Sequence, residues 1–198
     1  MKNLCVLLVI AMEVVYVIRY AYQTYKREIS PTLSTWIIFF LGGSLSLTTY
    51  AIAEDHDFRS GILNTMDVAG TAAILVAILI WGKRNVRFKP FERWYLGGIA
   101  VIVSYGLISG NAWRSNVFTQ ILMVIGYIPT VHNLLTEKRN TESFSVWSCI
   151  LATSFIALCP AVVDGNALAA LYVIRNIVLV SVLIAVMAYY ELQGRRRR

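Results

Sequence analysis

The chain has 198 residues, 58% of them hydrophobic and 15% charged, and a formal net charge of +7. A soluble domain carries about 45–50% apolar and about 25% charged residues, so this composition excludes an ordinary water-soluble globule and points to a membrane protein. Apolar runs take up so much of the length that the loops leave no room for a hidden soluble domain.

In chain order the runs cover 4–22, 34–53, 61–82, 94–110, 116–135, 144–163 and 167–190. Each is close to the ~17–25 residues that a spanning helix needs, which predicts an all-α membrane protein of seven transmembrane helices. The first run has the flavour of a signal peptide, but Glu13 interrupts it and no small-x-small site follows, so it is read as retained. Alternate loops carry Lys26 and Arg27, then Lys83, Arg84, Arg87, Lys89 and Arg93, then Lys138 and Arg139, with Arg195 to Arg198 on the same side. Opposite them stand Glu54, Asp55, Asp57 and Asp164 against Arg59 and Arg114. The positive-inside rule then puts the N-terminus outside and the C-terminus in the cytoplasm, with Lys2 pulling weakly the other way. Positive charge is thus a topology signal rather than a nucleic-acid surface. The terminal arginines suit anionic lipid or are a cloning remnant. Cys5, Cys149 and Cys159 are odd in number and lack metal or redox spacing, so they read as packing residues, and no metal or cofactor is expected.

Three spans precede the basic loop, one follows it, and three more complete the chain. At a fixed shift Tyr16 pairs with Tyr127, Arg27 with Lys138, Thr32 with Ser143, Ser34 with Ser145 and Trp36 with Trp147; one inserted residue then pairs Asn64 with Asn176. The parse is 3+1+3. It comprises a first three-helix repeat over 1–82, a basic loop and linker helix over 83–114, a second repeat over 115–191 and a basic tail over 192–198. One linking span makes the repeats parallel about an axis along the membrane normal, with a solute path between them.

Pro129-Thr130, Lys138-Arg139, Ser143 and Trp147 resemble the proline-led motif of the PQ-loop superfamily, which includes SWEET sugar transporters, cystinosin-like amino-acid exporters and the KDEL receptor. Span count, orientation and repeat parse agree along the whole chain. In the first repeat Ile18 stands where Pro129 predicts a proline, and Pro31 lies in the loop. The stretch Ser30 to Trp36 is also similar to bacterial members of unassigned function. The resemblance implies a transporter in a bacterial inner membrane that moves a small polar solute, such as a sugar or amino acid, by alternating access.

Several residues could serve such a path. Pro129, near the cytoplasmic end of its span, removes a backbone bond and is read as a hinge, with a static kink as the alternative. Pro160 reads as static. Asn64 and Asn176 are placed at the outer ends of the third and seventh spans, where an amide offers donors and acceptors to a hydroxyl-rich or zwitterionic solute. The resemblance points to the same pair, and interhelical glue is the other reading. Glu13, Asp67 and Arg175 lie inside spans, where an unpaired charge costs ~2.5–3.5 kcal/mol on an insertion scale. Arg175 is expected to pair with Asp67 or Glu13 across the gap between repeats, as an outer gate, a carboxylate anchor or a fixed structural pair; Glu13 is also a candidate proton site. Trp36 and Trp147 read as interface anchors, and Tyr16, Tyr20, Tyr22 and Tyr25 as an aromatic belt. Arg19 is expected to snorkel and His132 to be polar trim.

Other classes fit less well. The last span has no lysine for a retinal Schiff base. No nucleophile–base pair or ligand cluster suggests an enzyme. The rival is a receptor, sorting protein or scaffold of the same fold that binds without transporting. The solute and membrane lipids are the expected partners, and a homo-oligomer is an option.

Overall fold

A computed structural model describes residues 2–29, 31, 33–53, 58–82, 90–138 and 140–196. The loop charges at 54–57 and 83–89, Thr32, Arg139 and the last two arginines lie outside these residues, as do the side chains of Ser34, Arg93, Pro129 and 194–196. Among the described residues the chain is helical throughout: α1 (Lys2–Tyr25), α2 (Leu33–Ile52), α3 (Ile62–Trp81), α4 (Pro90–Ser109), α5 (Ala112–Gly126), α6 (Ile128–Glu137), α7 (Phe144–Val163) and α8 (Ala167–Arg196). Six rods are long and apolar enough to cross a membrane, with α5 and α6 forming one of them. The expected fourth span differs. It is a helix of 20 residues, but its apolar core is confined to Gly97–Gly106, because Glu92 and Arg93 occupy its first turn.

Local chemistry sets the helix ends. Asn111 and Asn166 accept from the backbone N–H of Arg114 and Ala169 at 2.9 Å, and Ser143 caps α7 through Val146 N–H. Gly110 and Gly165 take left-handed φ of 61° and 63° at turns. At the opposite end the left-handed positions are filled by Arg27 (φ 59°) and Lys138 (φ 50°), a pair that the repeat alignment matches. Non-glycine residues rarely adopt this conformation. Inside the rods, hydroxyls of Thr24, Thr49, Thr71, Thr119, Thr153 and Ser154 donate to carbonyls one turn back, so they need no water.

In chain order the rods form a first group, α1–α3, before α4 and a second, α5–α8, after it. Helix α3 lies against both α1 and α2, while α8 lies against α7 and the α5–α6 rod. Between the groups α1 runs along α7 and α2 along α5; α4 leans on α5. Leu7, Ile18, Val76, Ile108, Phe155 and Val178 face outward, whereas Glu13, Asn64, Asn116, Gln120, Arg175 and Asn176 are buried. Water selects the reverse arrangement, so this distribution is consistent with an integral membrane protein.

The α5–α6 rod breaks at Tyr127, whose N–H reaches back to Val124 at 3.3 Å in a tightened turn. Pro129 occupies the first turn of α6, where its missing N–H leaves the helix free to redirect. Just before it, Gly126 lets α5 close on α2: a Cβ there would sit 2.8 Å from Ile38 Cγ2.

Candidate functional site: a charged cavity between the two helix groups

A small cavity of about 40 Å³ lies where the two groups meet, lined in part by Tyr16, Asp67, Tyr127, Tyr172, Arg175 and Asn176. That volume admits a water or two and no larger solute. Asp67 on α3 accepts from Tyr172 Oη at 2.8 Å and from Tyr16 Oη at 3.4 Å. Arg175 on α8 donates through Nη1 to Gln120 Oε1 at 2.8 Å, and its guanidinium lies 4.4 Å over the Tyr172 ring. The expected direct ion pair to Asp67 or Glu13 is not formed. Tyr172 stands between the charges, its face to the guanidinium and its hydroxyl to the carboxylate, while Nε of Arg175 has no partner.

The two asparagines are both buried but do not share this cavity. Asn176 borders it, donating to Ser154 Oγ at 3.0 Å and accepting from Tyr127 Oη at 2.9 Å. Asn64 donates to Ser46 Oγ at 3.1 Å, and its Oδ1 is unpartnered. The expectation that both lie at the outer ends of their spans fails for Asn176, because α8 begins at Ala167, more than two turns before it; Asn64 is in the first turn of α3. Glu13 is wholly buried with both carboxylate oxygens unpartnered, against the α3 backbone at Gly70, where a Cβ would lie 3.5 Å from Glu13 Oε2.

Sequence reasoning passed over the polar seam on α5. Gln120 Nε2 donates to Ser46 Oγ at 2.8 Å and to Asn116 Oδ1 at 3.0 Å; Asn116 donates to the Ser46 carbonyl and to Thr49. These bonds tie Arg175 through Gln120 to α2 of the other group. Two amides one turn apart in an apolar span, Asn116 and Gln120, were the available sign of an interior face.

Below the cavity the aromatic residues form its floor, contrary to their expected places at the membrane edge. Trp36 and Trp147 are 3% and 2% exposed and stack with centroids 6.4 Å apart; Tyr16 and Tyr20 are buried too, leaving only Tyr22 and Tyr25 outside. Tyr20 Oη accepts from Trp36 Nε1 at 3.1 Å and donates to Glu142 Oε2 at 3.0 Å, which also accepts from Trp147 Nε1 at 3.3 Å. Glu142 lies in the α6–α7 loop, and burial pushes its carboxyl up to about 7 against the opposing effect of the Tyr20 and Trp147 hydrogen bonds. Beside it Arg19 Nε donates to Ser145 Oγ at 2.8 Å, and Thr130 meets Thr35 at 3.1 Å. His132 is exposed, as expected of polar trim.

The opposite end opens into a vestibule of about 880 Å³ lined by, among others, Tyr50, Ser60, Asn111, Asp164 and Asn166. Contacts between the groups cross here as well: Asp164 accepts from Ser60 and pairs with Lys2, and Asn166 donates to Tyr50 Oη at 2.9 Å. Among the described residues no group of histidine, cysteine and carboxylate side chains is placed to hold a metal. No family model matches the chain, and no curated protein or solved structure shows significant similarity to it.

Proposed function

We propose that this chain is a SWEET-like transporter, built from two parallel three-helix repeats (α1–α3 and α5–α8, with α5 and α6 one span) linked by α4. In this reading the N-terminus faces outward and the C-terminus the cytoplasm, in a bacterial inner membrane. A small polar solute crosses between the repeats by alternating access. The observation that carries the proposal is a charged cavity shut between two helix groups, with hydrogen bonds joining those groups at both ends. At about 40 Å³ it is contracted, which suits an intermediate in which neither face is open. Opening the aromatic floor would expose it to the cytoplasm; releasing the Lys2–Asp164–Ser60 contacts would join it to the vestibule. Asp67, Arg175 and Asn176 contact the solute, Asn64 sets the α2–α3 packing above it, and the break at Pro129 is the hinge. Glu13, with no partner for its carboxylate, is the coupling site for a proton or cation.

The test is solute flux in proteoliposomes containing the purified protein, with a panel of labelled sugars and amino acids. Uptake that saturates and is lost in Arg175→Gln supports the proposal. Ligand binding by the same preparation with no flux assigns the chain to the receptor alternative instead.

A further inference from the structure

We infer that the solute is zwitterionic, a free amino acid or close analogue whose carboxylate meets Arg175 and whose ammonium meets Asp67; this rests on the transport reading above and names its substrate class. The argument starts from which hydrogen-bonding groups remain open. A sugar is held by amides and hydroxyls that bond its own hydroxyls. Here Asn176 already bonds through both ends of its amide, to Ser154 and Tyr127, and Asn64 has its donor on Ser46. Among the described residues the buried side-chain atoms without a partner are Nε of Arg175, both oxygens of Glu13, Oδ1 of Asn64 and Oε1 of Gln23. Of these residues only Arg175 lines the cavity, so the open group there is a cationic donor, and the Asp67 carboxylate lines the same cavity from the other group. That complement suits a carboxylate and an ammonium.

The placement of the two charges supports the same ligand. Arg175 is 8% exposed and lines the cavity, and its orientation is fixed by Gln120 and the Tyr172 ring. Asp67 lines it from the other helix group with only neutral phenols as donors. A fixed internal ion pair would have brought these side chains together. Tyr172 instead bridges them, its ring centroid 4.4 Å from the guanidinium and its hydroxyl 2.8 Å from the carboxylate; a molecule with ammonium and carboxylate on one carbon replaces that bridge with a charge-assisted hydrogen bond at either end. Bridging α3 and α8 also gives the ligand differential affinity for the closed state, which is what drives closure.

Thermal unfolding of the purified full-length protein with the free amino acids, and with the methyl ester and the N-acetyl derivative of the best one, tests this. A free amino acid should raise the melting temperature as its concentration passes its dissociation constant. The ester, lacking the carboxylate, and the N-acetyl form, lacking the ammonium, should each bind roughly tenfold or more weakly. Arg175→Gln and Asp67→Asn should lose the response, and the derivative series on the unaltered protein decides the matter even if those variants do not fold. Equal stabilisation by the derivatives, stabilisation by glucose but by no amino acid, or no response to any amino acid overturns the inference. Uptake assays separate it from the transport reading: glucose flux keeps transport and sinks the zwitterion, whereas amino-acid binding without flux does the reverse.

Discussion

The first helix group, α1 to α3, and the second, α5 to α8, agree at the ends that carry Arg27 and Lys138 and diverge in the interior. Arg27 and Lys138 both adopt the left-handed conformation. Trp36 and Trp147 stack on one another, and Tyr16 and Tyr127 each send a hydroxyl to a polar residue on the last helix of their own group. That residue is Asp67 in the first group and Asn176 in the second. The first group contributes carboxylates, Glu13 and Asp67, and the second the guanidinium of Arg175; α1 is unbroken where α5–α6 breaks. Equivalent scaffolding with opposite charge is the feature on which the zwitterion proposal rests.

The largest expected effect is on the shared floor. Trp147→Ala removes a buried indole that packs on Trp36 and Tyr127 and donates to Glu142, and should cost about 3–5 kcal/mol in denaturant unfolding. Trp36→Ala should cost nearly as much if both groups share the floor. A much smaller loss would assign the floor to the second group alone. Trp94→Ala, at a site 81% exposed, is the control and should change little.

Next comes the charge asymmetry. Arg175→Ala strips Gln120 of its donor and Tyr172 of its cation, for about 2–4 kcal/mol of stability and complete loss of uptake. Stability within about 0.5 kcal/mol of the parent would show that the Gln120 bond and the Tyr172 stacking contribute nothing net.

A third comparison concerns Glu142, for which the first group has Pro31 at the matched position. Its folded-state carboxyl is raised to about 7, above the ~4.3 of a free glutamate. Between those values the folded protein holds a proton that the unfolded chain has lost, so stability falls as pH rises through that window and levels off above it. The total is of the order of 3 kcal/mol. Glu142→Gln keeps an acceptor for Tyr20 and Trp147, so its melting temperature should match the parent near pH 5 and exceed it near pH 8. Parallel pH profiles would remove Glu142 from the account.

Much of the scaffold was legible in the sequence because hydrophobic length and loop charge act locally. The matched tyrosines, tryptophans and capping cations were visible for the same reason. Helix rotation was not. Trp36 and Trp147 lie near span ends, where lipid and a partner helix both accept an indole, and only tertiary packing turned them inward. Nor did spacing reveal that Arg175 would meet Gln120 on α5, or that Tyr172, one turn before it, would hold it from Asp67. The span-end placement held for Asn64 and failed for Asn176 because α8 starts earlier, relative to its match, than α3.

The smallest stability change and the sharpest functional one are expected at the helix break. Pro129→Ala restores an N–H to the first turn of α6, a position where proline costs little, so the melting temperature should hardly move. If the break is a hinge, a continuous helix resists opening the floor, and uptake should fall about tenfold while ligand-induced stabilisation persists. Ile18→Pro, at the matched place in α1, provides the converse. That side chain is 64% exposed, so a proline ring meets no packed neighbour, yet in the helix interior it removes a backbone bond at about 3 kcal/mol. A destabilised Ile18→Pro protein beside a stable, slow Pro129→Ala protein would mean that one group bends while the other serves as its rigid base. Unchanged uptake in Pro129→Ala would instead make the break static, and the two groups would then have to move as rigid bodies about the floor.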